Sequence, residues 1–119
     1  MPDIPAPGKA VRGSRSGSPI MAMFDLLGRR WAMGVLWQLY EQGPCTFRAL
    51  QDACESISPA VLNSRLKELR IAGFIIHGEG GYQVTDLGAE VYRALLPLSK
   101  VSKTWAEALA NSDAGSSSD

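Results

Sequence analysis

The sequence predicts a mainly α-helical domain that carries one small β-hairpin. Three observations lead there. Apolar residues recur at spacings of three and four through most of the chain, the period of a helix with one buried face. The runs are punctuated by Ser, Thr or Ser-Pro at their starts and by glycine or Gly-Pro at their ends. After Gly73 the period shortens to that of a strand, and a tight glycine turn follows. A chain of 119 residues with 45% hydrophobic composition can build one core, and one domain is expected.

Residues 1–17 are rich in Pro, Gly and Ser, with Lys9, Arg12 and Arg15 scattered among them. Such a stretch buries too little to fold, so a disordered arm is expected, either solvated or laid as a basic arm on DNA. Ser18-Pro19 opens a first short helix to about Leu27, with Ile20, Met23, Phe24 and Leu27 at helical spacing and Gly28 after it. Residues 31–41 form a second helix. Trp31, Val35 and Leu39, widened by Leu36, give it the broad stripe of a central element, and Gly43-Pro44 stops it.

Thr46 caps a third short helix over residues 47–54, with Phe47, Leu50 and Cys54 inward and Arg48, Gln51 and Asp52 outward. After a turn comes the most clearly punctuated helix of the chain. Ser58 is its N-cap, Pro59 its first residue and Gly73 the residue just past its end. Leu62, Leu66 and Leu69 make its buried stripe; Asn63, Ser64 and Lys67 lie off that stripe and Arg70 flanks it. Two helices joined by a short turn, the second polar on its outer side, make a helix-turn-helix.

Residues 74–77 and 82–85 read as strands around the turn at 78–81, so a hairpin follows that helix directly. This order is that of a winged helix-turn-helix. Thr85 then caps a helix over residues 86–96, with Asp86 favourable in its first turn. Pro97 is expected to kink or break it, with a last helix running to about Ala110. Val91, Leu95, Leu98, Ser102, Trp105 and Leu109 recur at the period of a helix-packing seam. The earlier helices already supply a core, so this seam is read as subunit contact. The expected homodimer interface comprises Ile20, Phe24, Leu95, Leu98, Trp105 and Leu109, from N- and C-terminal helices. Residues 18–110 are the domain and 111–119 a disordered Ser-rich tail.

Formal net charge is zero, which counts mildly against nucleic acid as partner. The distribution is uneven: residues 29–77 have a balance of plus two and residues 78–119 of minus three. The basic part surrounds the helix-turn-helix. A helix fits the major groove, where Asn63 can pair with adenine, Ser64 can accept or donate, and Lys67 can reach guanine or phosphate. Ser58 and the free N–H groups behind Pro59 can hold a phosphate. Arg48, and Arg29 or Arg30, are further phosphate candidates. Arg65 lies close to the buried stripe and serves either the DNA backbone or an internal ion pair.

With the elements in place, the chain resembles the HxlR-type winged-helix transcriptional regulators, relatives of the MarR group. The resemblance rests on Leu26-Leu27-Gly28-Arg29-Arg30-Trp31 with Val35-Leu36, Gly43-Pro44, Phe47-Arg48-Ala49-Leu50, the run from Ile57 through Leu69, Ala72-Gly73-Phe74-Ile75 and Tyr82-Gln83-Val84-Thr85-Asp86-Leu87-Gly88. It covers about residues 18–109. It implies a homodimer on pseudo-palindromic double-stranded DNA, repressing or activating adjacent genes. Three departures stand out. The cysteine that many members carry before the first helix, where it senses electrophiles or oxidants, is replaced by Ser18. A frequent basic residue is replaced by Ala60. The wing is short and holds Glu79 instead of cations, so weak anchoring there is expected.

Other function classes fare less well. His77 is the one histidine, and without a second no Ser/His/Asp set assembles. Cys45, Cys54 and His77 lack metal-ligand spacing, so neither catalysis, metal nor cofactor is expected. A protein-interaction module is the main alternative, given the neutral charge and acidic wing. A small-molecule effector could be added to DNA binding, lodged among Trp31, Trp37, Tyr40 and Trp105. Cys45 and Cys54 could act as a thiol sensor. No apolar run approaches the ~20 residues that span a bilayer and no signal peptide opens the chain, so no membrane role and a cytoplasmic location are expected.

Overall fold

Residues 4–116 are described by a computed structural model. Residues 1–3 of the expected arm and 117–119 of the expected tail lie outside the described residues. Five helices and one hairpin follow in the order α1 (Pro19–Leu27), α2 (Ala32–Gln42), α3 (Phe47–Ala53), α4 (Pro59–Ile71), β1 (Ile75–Gly78), β2 (Gly81–Val84) and α5 (Asp86–Ser116).

The core gathers where the apolar stripes of α2, α3 and α4 meet. Val35, Leu36 and Leu39 of α2, Leu50 of α3, and Leu62 and Leu69 of α4 have no exposed surface. Burying one such side chain stabilises the fold by about 1.5–3 kcal/mol, and the central place expected for α2 follows from three of them. The caps of α3 and α4 form as their sequences require: Thr46 accepts from the Ala49 amide at 3.1 Å and Ser58 from the Val61 amide at 3.2 Å. Gly73, at φ 87°, turns the chain out of α4 in the left-handed conformation that glycine adopts without strain. β1 and β2 pair antiparallel, with Ile75 opposite Val84 and Gly78 opposite Gly81. Cys45 adds a bridge to the hairpin's outer edge, exchanging two backbone hydrogen bonds with Tyr82 at 3.0 and 2.8 Å. Thr85 ties hairpin and last helix together. Its hydroxyl donates to the Gly73 carbonyl at 2.6 Å and accepts from the Gly88 amide at 3.0 Å.

Four expectations need correction. Trp31 is not inside α2 but caps it with φ 74°, half-buried against the core; the Ala32 amide returns to the Arg29 carbonyl, which makes residues 29–32 a turn. Ser18 precedes α1 but makes no side-chain cap bond; its own amide and that of Gly17 donate to the Ser14 hydroxyl instead. Pro97 does not break the last helix, which runs continuously from Asp86 to Ser116, past the expected end at Ala110. Pro97 is exposed, so water can take the carbonyl that its missing N–H leaves without a partner. Residues 4–17 of the arm hold no helix, but residues 8–17 close on themselves: the Gly8 amide donates to the Gly17 carbonyl and Val11 pairs with Ser14. The Arg12 amide then docks on Asp25 of α1 at 3.1 Å.

The expected seam on α5 divides. Val91 is buried in the chain's own core and Leu95 packs against it, whereas Leu98, Trp105 and Leu109 are 57%, 63% and 49% exposed. A 31-residue helix is about 46 Å long at 1.5 Å per residue, longer than the core it starts from, so its second half projects.

Candidate nucleic-acid interface

α4 packs its leucines inward, and the opposite side faces solvent. Ser58, Pro59, Ala60, Asn63, Ser64 and Lys67 are all exposed. Asn63, Ser64 and Lys67 make no side-chain hydrogen bond or ion pair among the described residues, so their polar groups are available to a ligand. With 100° per residue, Asn63, Lys67, Ala60 and Ser64 fall within one arc of about 100°. Four side chains over two turns are what a groove-reading helix presents to base edges.

The helix start offers fewer donors than the sequence suggests. Pro59 has no N–H, the Val61 amide is taken by Ser58 and the Leu62 amide by the Ser58 carbonyl. That leaves the Ala60 amide, with the Ser58 hydroxyl proton, for a phosphate. On α3, Arg48 is exposed and paired loosely with Asp52 at 3.9 Å, a solvated contact worth little. Its guanidinium can swing to phosphate. The wing adds no cation. Among residues 75–84 the charged side chain is Glu79, while His77 stacks on Tyr82 with ring centroids 4.0 Å apart.

Arg65 is placed away from this face. It lies 18% exposed on the flank of α4, its Nε 3.3 Å from Oε1 of Glu68. The charges attract, but neither atom has a hydrogen bond aligned on it among the described residues. Arg29, from the α1–α2 turn, donates to the other Glu68 oxygen. Of the two uses the sequence allowed for Arg65, the internal ion pair is the observed one, and Arg29 joins it there. Glu68 was not singled out in the sequence. Its signal was the position three residues after Arg65 and next to Leu69, on the border of the buried stripe. Arg30 remains exposed and lies over the Trp31 ring at 5.9 Å.

Of the aromatic residues considered for an effector, Trp31 and Trp37 share a hollow beside Ala53 and Cys54, but the four do not gather around it. Tyr92 is the hub instead, stacked on Tyr40 at 3.8 Å and tilted against Trp37 at 4.8 Å, with its hydroxyl donating to Glu41 at 2.9 Å. Burial first, then that hydrogen bond and charge, pushes the Tyr92 phenol up. Trp105 stands apart on the projecting half of α5. A mainly apolar hollow of about 320 Å³ does lie between α2 and α5, lined by Met33, Trp37, Leu95 and Leu98. Both cysteines are free, and burial pushes both thiols up, Cys54 further under the influence of Cys45. Among the described residues no three His, Cys, Asp or Glu gather as metal ligands, and no helix is long and apolar enough to cross a membrane.

The model of the HxlR-like helix-turn-helix proteins matches residues 26–110, from the end of α1 through the hairpin and most of α5. The chain belongs to the HxlR-like helix-turn-helix family. It is 29% identical to YybR of Bacillus subtilis, an HTH-type transcriptional regulator, over 83% of this chain and 81% of that protein. Quinone-bound YodB of B. subtilis superposes with a TM-score of 0.61 at 28% identity, covering 75% of this chain and 96% of that one. An HxlR-family protein of Thermoplasma volcanium shares the fold with a TM-score of 0.67 at 23% identity, over 76% and 86%. This HxlR-family chain is therefore a DNA-binding transcription regulator with a winged helix-turn-helix fold, from a family of transcriptional regulators.

Proposed function

We propose that the chain works as a homodimer on a pseudo-palindromic operator, each α4 entering a major groove. Asn63, Ser64 and Lys67 meet base edges, with Arg48, Ser58 and the Ala60 amide on flanking phosphates. The observation that carries this reading is the exposed polar arc of α4, without side-chain partners among the described residues, beside a loosely held Arg48. Ile20 and Phe24 of α1, 54% and 59% exposed, and Leu98, Trp105 and Leu109 of α5 supply apolar surface for the second copy. Leu95 contributes less, being turned partly into its own core. Modulation by a small molecule is part of the proposal, in keeping with the quinone-bound form of YodB.

Selection of sites from a random duplex pool at physiological salt tests the reading. An enriched inverted repeat, with half-site centres about one helical turn apart, is expected. The acidic wing and neutral total charge favour one alternative, a protein-interaction module. A flat dependence of duplex retention on salt, where phosphate contacts demand a steep one, would shift the assignment to it.

A further inference from the structure

A cleft of about 740 Å³ opens on the flank of α4 turned away from the polar arc, between the 12–13 turn, α1, the α1–α2 turn and Arg65. Four arginines line it, Arg12, Arg29, Arg30 and Arg65, together with Asp25. Glu68 reaches it from α4 through Arg29 and Arg65. Among the described residues, two carboxylates against four cations leave an excess of two positive charges at the cleft. The cations differ in how they are held. Arg29 and Arg65 form a fixed base around the buried Glu68, whereas Arg12 is 90% exposed and only 4.0 Å from Asp25. Arg30 makes no ion pair among the described residues and rests on the Trp31 ring. Trp31 itself is pinned in the left-handed region at φ 74°, which fixes the turn that presents Arg29 and Arg30. Met21 and Phe24 complete the wall with apolar surface.

We propose that this cleft binds a small organic dicarboxylate, one dianion per chain. Two carboxylates match the two excess charges, the guanidinium fork accepts a carboxylate in bidentate fashion, and an apolar body would lie on Met21 and Phe24. The site is tied to α4 by chemistry. A ligand carboxylate drawing on Arg29 and Arg65 competes with Glu68, which belongs to the helix carrying Asn63, Ser64 and Lys67. Occupancy therefore changes how α4 is held and, with it, DNA affinity. This coupling rests on α4 being the DNA-reading helix; occupancy of the cleft does not.

Calorimetric titration of the full chain with isophthalate at pH 7 tests the site, with its neutral diamide as control. Saturable binding at one ligand per chain is expected, and no binding of isophthalamide. Arg12→Gln and Arg30→Gln, both at exposed positions, are each expected to weaken it about tenfold, the loss of one charge-assisted contact. Arg93→Gln, exposed on α5, leaves it unchanged. The site is overturned by absence of saturable binding for isophthalate, succinate and glutarate alike. It is equally overturned by equal weakening in Arg93→Gln, or by cleft variants that weaken duplex binding while no dicarboxylate binds, which would make the cleft a phosphate seat. A separate duplex titration with and without isophthalate reads the coupling. Ligand binding that leaves duplex affinity unmoved overturns the coupling and keeps the site, whereas absence of any specific duplex binding strikes the DNA reading and not the cleft.

Discussion

The two flanks of α4 carry similar residue types and meet opposite fates. On one, Asn63, Ser64 and Lys67 are exposed to solvent with no side-chain partner among the described residues. On the other, Arg65 and Glu68 are folded into a buried ion cluster with Arg29 from a turn 39 residues away. A lysine and an arginine two positions apart differ by about 160° around the helix, and that angle alone separates a solvent-facing cation from a structural one. The lesson is that a cation in a helix-turn-helix is not by default a DNA contact. Its azimuth relative to the leucine stripe decides whether it is available to phosphate or holds the helix in place.

This contrast can be broken most severely at Glu68. Glu68→Ala leaves two partly buried guanidiniums facing each other, and removal of one side of a buried ion cluster costs about 3–5 kcal/mol. Chemical denaturation should show a loss of that size; a loss under 1 kcal/mol would mean that other partners already satisfy both arginines. On the other flank, Asn63→Ala and Lys67→Ala should change stability by less than about 0.5 kcal/mol, as surface substitutions do. Asn63→Ala and Lys67→Ala should instead each weaken specific binding by about 1–3 kcal/mol and relax base preference, while Arg48→Ala weakens cognate and random duplex alike. Asp52→Ala frees Arg48 from its solvated partner, with a stability change below about 0.5 kcal/mol and a modest gain in duplex affinity, measured by anisotropy at two salt concentrations.

The smallest effect concerns the thiols, which lie on neither flank. Burial raises both folded pKa values above the ordinary 9.0, so the protonated form is favoured in the fold. Their contribution to stability is then present below pH 9.0 and lost as pH rises through the raised values. Alkylation by iodoacetamide should be slow for both near pH 7 and accelerate only above pH 9, with half-buried Cys45 ahead of buried Cys54. Fast modification at neutral pH would restore the thiol-sensor reading that these raised values argue against.

Much of the fold was legible because it depends on local chemistry. Ser58-Pro59 and Thr46 cap their helices through bonds to residues three positions on, and Gly73 relieves a left-handed turn; these are short-range events that residue type decides. The leucine spacing of α4 likewise told which residues face in, and therefore that Asn63, Ser64 and Lys67 face out. What the sequence could not rank was competition between a local rule and a distant partner. The rule that proline ends a helix failed at Pro97, because the lost bond falls on an exposed side. The apolar period of α5 was real, but periodicity does not say what covers it: Val91 meets the core and Trp105 does not.

By itself, then, the sequence determined the order of helices and hairpin, the caps of α3 and α4, and the polar arc of α4, since each follows from residue type and spacing along one segment. The tertiary structure alone decided that Arg29, Arg65 and Glu68 form one cluster, that Cys45 bridges to Tyr82, and that an arginine-lined cleft opens beside α1. Each of these joins segments far apart in the chain, and such meetings are set by how the packed helices orient their flanks, a property of the whole core and of no single stretch.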